Sequence, residues 1–233
     1  VSWLEQVFNY CERGTDPSFW AEPVNAVTNA AFLGAAAVAA SRLRRMERSA
    51  VVSGAGERLA LWLLVSAVAA IGIGSFLFHT FATRWALVAD VAPITVFMLV
   101  YLAFALRAFV GLGWLATGII MLAFLYAGSL ASSVSCSGEP CLNGSLGYLP
   151  ALVSLLIVGL VAEQRGLRSG RLLLAAGAVF FVSAMFRTID REVCEATHVL
   201  GHHRGTHALW HILNATTLYL LLRAAIERRS QPA

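Results

Sequence analysis

Apolar positions gather in seven long blocks, at about residues 23–41, 59–80, 86–106, 109–131, 146–162, 172–189 and 207–224, with short polar stretches between them. Polar residues inside the blocks are sparse and do not alternate with apolar ones as in a lipid-facing strand. Each block therefore predicts a helix, which closes its own backbone hydrogen bonds. A bilayer core of about 30 Å takes roughly 20 apolar helical residues to cross, and the blocks approach that length. The predicted fold is all-α: a polytopic membrane protein, a seven-transmembrane-helix bundle. Residues 1–233 read as a single membrane domain, with an outer N-terminal segment over 1–22, a tail over 225–233 and no internal repeat.

Composition agrees. Hydrophobic residues make up 58% of the 233 and charged ones 13%, with a mean hydropathy of +0.72, too apolar for a soluble domain of this length. The net charge of +4 rests on arginine alone, since the chain has no lysine. With the N-terminus outside, the inner loops and tail hold Arg42, Arg44, Arg45, Arg48, Arg58, Arg107, Arg165, Arg168, Arg171, Arg223, Arg228 and Arg229. The outer segments keep only Arg13, Arg84, Arg187, Arg191 and Arg204. This asymmetry predicts an outward N-terminus and a cytoplasmic C-terminus. It explains the positive charge as a topology signal, so no nucleic-acid partner is expected, and no obligate protein partner is evident. The first 20 residues are polar and acidic, unlike a cleavable signal, so the first span is expected to direct insertion. The alanine- and arginine-rich composition favours a bacterial inner membrane.

All four cysteines fall in outer segments, where disulfides persist. Four cysteines allow three pairings, and free thiols stay open as well. The natural reading closes a small loop with Cys136–Cys141 and ties the N-terminal segment to the last loop with Cys11–Cys194. Asn143, Gly144 and Ser145 form a glycosylation acceptor only in a eukaryotic secretory pathway, and Asn214, Ala215 and Thr216 form a chance match inside a span.

Ionisable groups at membrane depth cost about 2.5–3.5 kcal/mol each on insertion scales, which makes the few present functional candidates. The second span ends in "GIGSFLFHT", placing Ser75 and His79 on one face. The third opens "ALVADVAPITVF" with Asp90 about one turn in, and the seventh opens with His207 and His211, also on one face. The second span runs outward and the third and seventh run inward, so all five groups share one level near the outer surface. Three imidazoles with an open fourth position suit catalytic Zn²⁺, which brings the pKa of its water to about 7. Asp90 would then act as general base or orient the water, and Ser75 as a donor to the water or the developing oxyanion.

Each feature also has a duller reading. A single His-x-x-x-His often only bonds to headgroups or to neighbouring helices, Asp90 could cap the third helix with Pro93 in its first turn, and Ser75 could pack beside Gly72 and Gly74. His198, His202 and His203 crowd the preceding loop, and His203 with His207 forms a rival pair, although Gly201 and Gly205 should interrupt helix there. Asn25 and Asn29 are expected to join helices.

The runs "YCERGTDPSFWAEPVNAVTN", "SFLFHTFATRWALVADVAPI" and "HALWHILNATTLYLLL" resemble, in order and separation, three blocks of the alkaline ceramidase family, seven-helix hydrolases related to the progestin and adiponectin receptors. Between these blocks only the apolar character matches. The resemblance implies hydrolysis of the amide of ceramide or a similar N-acyl membrane lipid to a fatty acid and a long-chain amine. Zinc would be held by His79, His207 and His211, with hydroxide generated at the metal and Asp90 passing a proton to the leaving amine. It further implies the Cys11–Cys194 bridge and a calcium site, built in the family around a run like Asp-Trp-Cys-Glu-Glu-Asn and a later glutamate. Here Glu12 and Glu22 map onto acidic ligands, Asn9 replaces the aspartate and Gly14 the asparagine, and the Tyr10 carbonyl or Asp16 could compensate; in the alternative reading Glu12 and Glu22 only pair with outer arginines. The related receptors supply the alternative: a lipid-binding or receptor protein with a structural zinc. Haem between the histidines would leave Ser75 and Asp90 without use.

Overall fold

A computed structural model describes residues 2–49, 54–136, 138–199 and 201–228; Arg229 and most of the expected tail lie outside them. Seven helical segments are long and apolar enough to cross a membrane. The first combines α1 (Pro23–Thr28) and α2 (Ala30–Arg48); the others are α3 (Ala55–Phe81), α4 (Arg84–Ala108), α5 (Trp114–Ser133), α6 (Leu149–Gln164), α7 (Ser169–Thr188) and α8 (His207–Ile226). The seven-helix expectation is met, with informative differences at the ends. The first span breaks at Asn29, where the Thr28 hydroxyl donates to the Val24 and Asn25 carbonyls and the Asn29 amide donates to the Asn25 carbonyl, bonds that compete with the helical ladder. It then runs past the expected end at 41 to Arg48, because Leu43 is still fully buried among the arginines. The fourth span starts at Trp114 rather than 109: Phe109–Gly113 forms a turn through Gly111, whose φ is +75°.

α3 and α8 are the most enclosed spans, whereas α5 buries only Thr117 among its described residues and turns Leu115, Ile119 and Leu122 outward, as a lipid-facing helix should. α3 packs chiefly on α4, and α7 on α6 and α8.

The α3–α4 contact sets the position of the future site. Pro93 lacks an N–H, so the Ala89 carbonyl loses its helical donor. That carbonyl faces Gly74 of α3, where a β-carbon would run into it and into the Asp90 amide. Backbone-to-backbone approach thus brings Ser75 and Asp90, the residues next in sequence, to the same seam. Gly74→Ala is expected to push α4 away, costing about 1–3 kcal/mol of stability and lowering activity more than it lowers the thermal midpoint of the purified protein. Helix α4 begins at Arg84 with Thr83 as its N-cap residue, so Asp90 is not a cap and Pro93 lies in the helix interior.

At the same end of the bundle the N-terminal segment is stitched across the α3–α4 turn. The Val7 amide bonds to the Ala82 carbonyl, and the Arg84 and Trp85 amides bond to the Glu5 and Trp3 carbonyls. Both expected disulfides, Cys11–Cys194 and Cys136–Cys141, are present. His198–Val199 pairs with His202–His203 in a short hairpin, and helix resumes only at His207, so the rival pair His203 with His207 does not share a helical face.

Candidate metal centre and active site

His79 lies in the last turn of α3; His207 opens α8, and His211 stands one turn further on. Their ligand-capable atoms all lie within 4.8 Å of one another, and the three residues are at most 2% exposed. Among the described residues this is the group of three or more able to hold a metal ion. Each ring presents one buried nitrogen without a hydrogen-bond partner: Nε2 of His79, Nδ1 of His207 and Nε2 of His211. Buried imidazole nitrogens are rarely left so, and three in one cluster fit a cation that prefers nitrogen ligands, as zinc does.

The opposite ring atoms show how two rings are aimed. The Nδ1 of His79 lies 2.5 Å from Glu22 Oε2. The same carboxylate accepts from the Arg13 guanidinium at 2.6 Å and from the Asn25 side-chain amide at 3.1 Å, a buried ion pair that favours its ionised form. An ionised carboxylate can only accept, so Nδ1 carries the proton and Nε2 presents its lone pair. His211 Nδ1 lies 2.9 Å from the Thr28 hydroxyl, which also lies within hydrogen-bond distance of the Val24 and Asn25 carbonyls. With the hydroxyl proton on either carbonyl Thr28 accepts from Nδ1, and His211 Nε2 is the nitrogen left without a protein partner. His207 is held differently: its backbone N–H donates to Asp190 Oδ1 at 2.9 Å, and its ring stacks on Tyr10 with centroids 3.7 Å apart.

Asp90 and Ser75 are buried, at 8% and 4% exposure, and the Asp90 carboxyl lies within interaction range of the Ser75 hydroxyl, His79 and Arg187. The five residues selected from sequence are thus brought together. Asp190 accepts from the Cys11, Thr206 and His207 amides, tying the disulfide, the last loop and the start of α8 to one side chain. Burial pushes its carboxyl above the usual range against those three donors. Gly205, with φ +63°, leaves the room this needs, since a β-carbon there would strike Asp190 and Cys11. Arg187 is ringed by Tyr10, Tyr148 and Trp210, at 5.6–5.8 Å from their centroids, and donates to the Tyr10 hydroxyl. The Arg13–Glu22 and Arg204–Glu12 pairs are the alternative in which the two acids pair with outer arginines. Thr28, Asp190 and the role of Arg187 escaped the sequence reading; a hydroxyl one turn from Val24 or an acid in a loop gives no signal by itself.

The residues expected to hold calcium stand differently. Glu22 gives Oε1 to Arg13 and Oε2 to Asn25 and His79. Glu12 receives Arg204 and the Val24 and Asn25 amides, the start of α1. The Tyr10 carbonyl accepts from Gly14, Asn9 is exposed, and Asp16 bonds to the Ser18 amide. Asn25 and Asn29, expected to join helices, make their side-chain bonds to Glu22 and to the Asn25 carbonyl.

An apolar cavity of about 90 Å³ lies in the bundle, lined among others by Ile71, Ile94, Tyr101, Tyr148 and Asn214. Ile71 is one turn deeper than Ser75, Ile94 one turn deeper than Asp90 and Asn214 nearly one turn deeper than His211, so this part of the lining lies about one turn below the site.

A search among curated proteins finds no match. A family model described as Ceramidase matches residues 6–231, which include the three histidines, Ser75 and Asp90. The chain belongs to the ceramidase family.

Proposed function

We propose that this chain is an intramembrane, zinc-dependent amide hydrolase that cleaves ceramide or a similar N-acyl lipid into a fatty acid and a long-chain amine. Family membership implies a ceramide-hydrolysing amidohydrolase and a lipid substrate; the metal and the division of labour are our reading. The observation that carries it is a cluster of three buried imidazoles, each with one partnerless ring nitrogen, beside a buried carboxyl and a buried hydroxyl.

His79, His207 and His211 would hold the zinc, which when bound supplies Lewis acidity and an acidified water. Glu22 and Thr28 keep two of the rings in the tautomer that leaves Nε2 free. Asp90 accepts the proton of the attacking water and returns it to the departing amine nitrogen, as a carboxyl screened from bulk water can. Ser75 donates to the oxyanion that develops on the amide carbonyl. The apolar cavity behind the site takes hydrocarbon, and the outward-facing apolar side chains of the spans let the lipid arrive from the bilayer. The arginine asymmetry supports an active site toward the outer, periplasmic side of a bacterial inner membrane.

Purified protein incubated with N-acyl sphingoid lipids is expected to release fatty acid, to stop on chelation and to recover with added zinc. Zinc retained without turnover on any amide lipid would instead support a lipid-binding receptor with a structural metal.

A further inference from the structure

Arg13 is 3% exposed and lies beside the residues expected to bind calcium. A guanidinium has five N–H donors in a fixed planar fork, and here five oxygens meet them. Nε donates to Glu22 Oε1 at 2.6 Å; Nη1 donates to the Asp16 and Ser18 carbonyls at 3.0 and 2.8 Å; Nη2 donates to the His79 and Thr80 carbonyls at 2.9 and 3.2 Å. One carboxylate and four carbonyls, drawn from the N-terminal segment, the residue before α1 and the end of α3, form the kind of oxygen set that a hard divalent cation takes. In the family run compared above, a glutamate stands where this chain has Arg13. The second expected carboxylate, Glu12, is likewise matched by an arginine, Arg204, at 3.0 Å.

We propose that Arg13 is the resident cation of this site: its guanidinium replaces a calcium ion, leaving the protein calcium-independent, and positions His79. The electrostatic reasoning is direct. The charge of Glu22 is already neutralised at contact distance, and its two oxygens are spent, so a divalent ion would have to displace Arg13 into a low-dielectric setting or sit against it. Positioning follows from the same bonds. Arg13 holds the carboxylate whose other oxygen takes the His79 Nδ1 proton, and it grips the backbone carbonyl of His79 itself, so one side chain fixes both the ring and its anchor. The lysine alternative fails on geometry: three donors at one point cannot span five acceptors arranged around a plane.

Calcium independence stands on this geometry alone, whereas the role toward His79 rests on the zinc reading. The test keeps them apart. Calcium is titrated into the calcium-free, zinc-loaded protein up to about 5 mM, above the range of weak calcium modules, by calorimetry and by thermal melting at fixed free zinc. The expected result is no saturable heat and no shift in melting midpoint; saturable binding accompanied by a higher midpoint overturns the resident-cation assignment. In parallel, Arg13→Lys is compared with wild type for zinc affinity in a chelator competition. A fall of about 10- to 100-fold, the usual effect of losing an outer-shell partner of a ligand, is expected, and an unchanged affinity overturns the positioning role. If Arg13→Lys does not fold, Arg13→Gln, which keeps a planar donor head, serves in the same competition with the same two outcomes. A wild type that binds neither zinc nor calcium removes the zinc reading with its positioning role and leaves the resident cation standing.

Discussion

His211→Ala is expected to abolish amide hydrolysis, lowering kcat/KM by at least about a thousandfold, equivalent to roughly 4 kcal/mol of transition-state stabilisation, and to strip the protein of zinc. His211 contributes one of three buried imidazole nitrogens without another partner, and two remaining rings make a poor site for a cation that favours three or four protein ligands. The fold should survive better than the site. The ring is replaced by a small void beside Phe32 and His79, whose centroids lie 6.3 and 4.8 Å away, while α8 stays fastened through Asp190, the Ser183–Trp210 bond and its deeper buried face. Thr28→Val is the informative companion. It leaves the ring in place and removes the hydroxyl beside its Nδ1 together with that hydroxyl's bonds to the Val24 and Asn25 carbonyls, so zinc affinity should drop by about 10- to 100-fold while zinc-saturated turnover stays near wild type. Metal analysis and fatty-acid release on the two variants provide the check. Full zinc content and full turnover in His211→Ala would remove the metal site from the account altogether.

What could be read in the chain divides along a physical line. The spans were legible because their driving force is local: roughly 20 apolar residues in a row have few other stable fates in a bilayer. Their ends were less so. Hydropathy does not see the turn at Phe109–Gly113, since phenylalanine, valine and leucine surround Gly111, and it stops counting at Arg42 although the helix continues to Arg48. The metal triad was legible because helical spacing puts His207 and His211 on one face and alternating spans put His79 at the same level. The aiming of those rings was not. Glu22 reaches His79 across 57 residues and Thr28 reaches His211 across 183, distances over which only the folded bundle decides who meets whom. For the N-terminal carboxylates, pairing with outer arginines was legible as an alternative to calcium, but the identity of the partners was not. Glu12 and Glu22 resemble metal ligands by position in a run, but which cation they meet depends on Arg13 and Arg204, the second of them close to 200 residues away.

Asp90→Asn should lower kcat by about 10²- to 10⁴-fold, the range for loss of a positioned acid–base group, with zinc content unchanged. The isostere keeps the packing of α4 on α3, where the Ala89 carbonyl faces Gly74, so a structural explanation for the loss would have to appear as a lower melting midpoint as well. Asp90 is not one of the three clustered ligands, which is why the metal should stay. A binding protein with a structural zinc needs no carboxyl here, and one buried at this depth without use would be a standing cost. Ser75→Ala should lose less, because one neutral donor to an oxyanion is the smaller contribution and a water can partly replace it. The double variant decides whether the two act as a unit. If Ser75 donates where Asp90 moves the proton, their losses will fall short of additive; simple additivity would mean that Ser75 only packs the seam. Turnover within about threefold of wild type in Asp90→Asn, below any acid–base contribution, would assign the proton transfers to another group and make Asp90 a structural partner of Ser75 and Arg187.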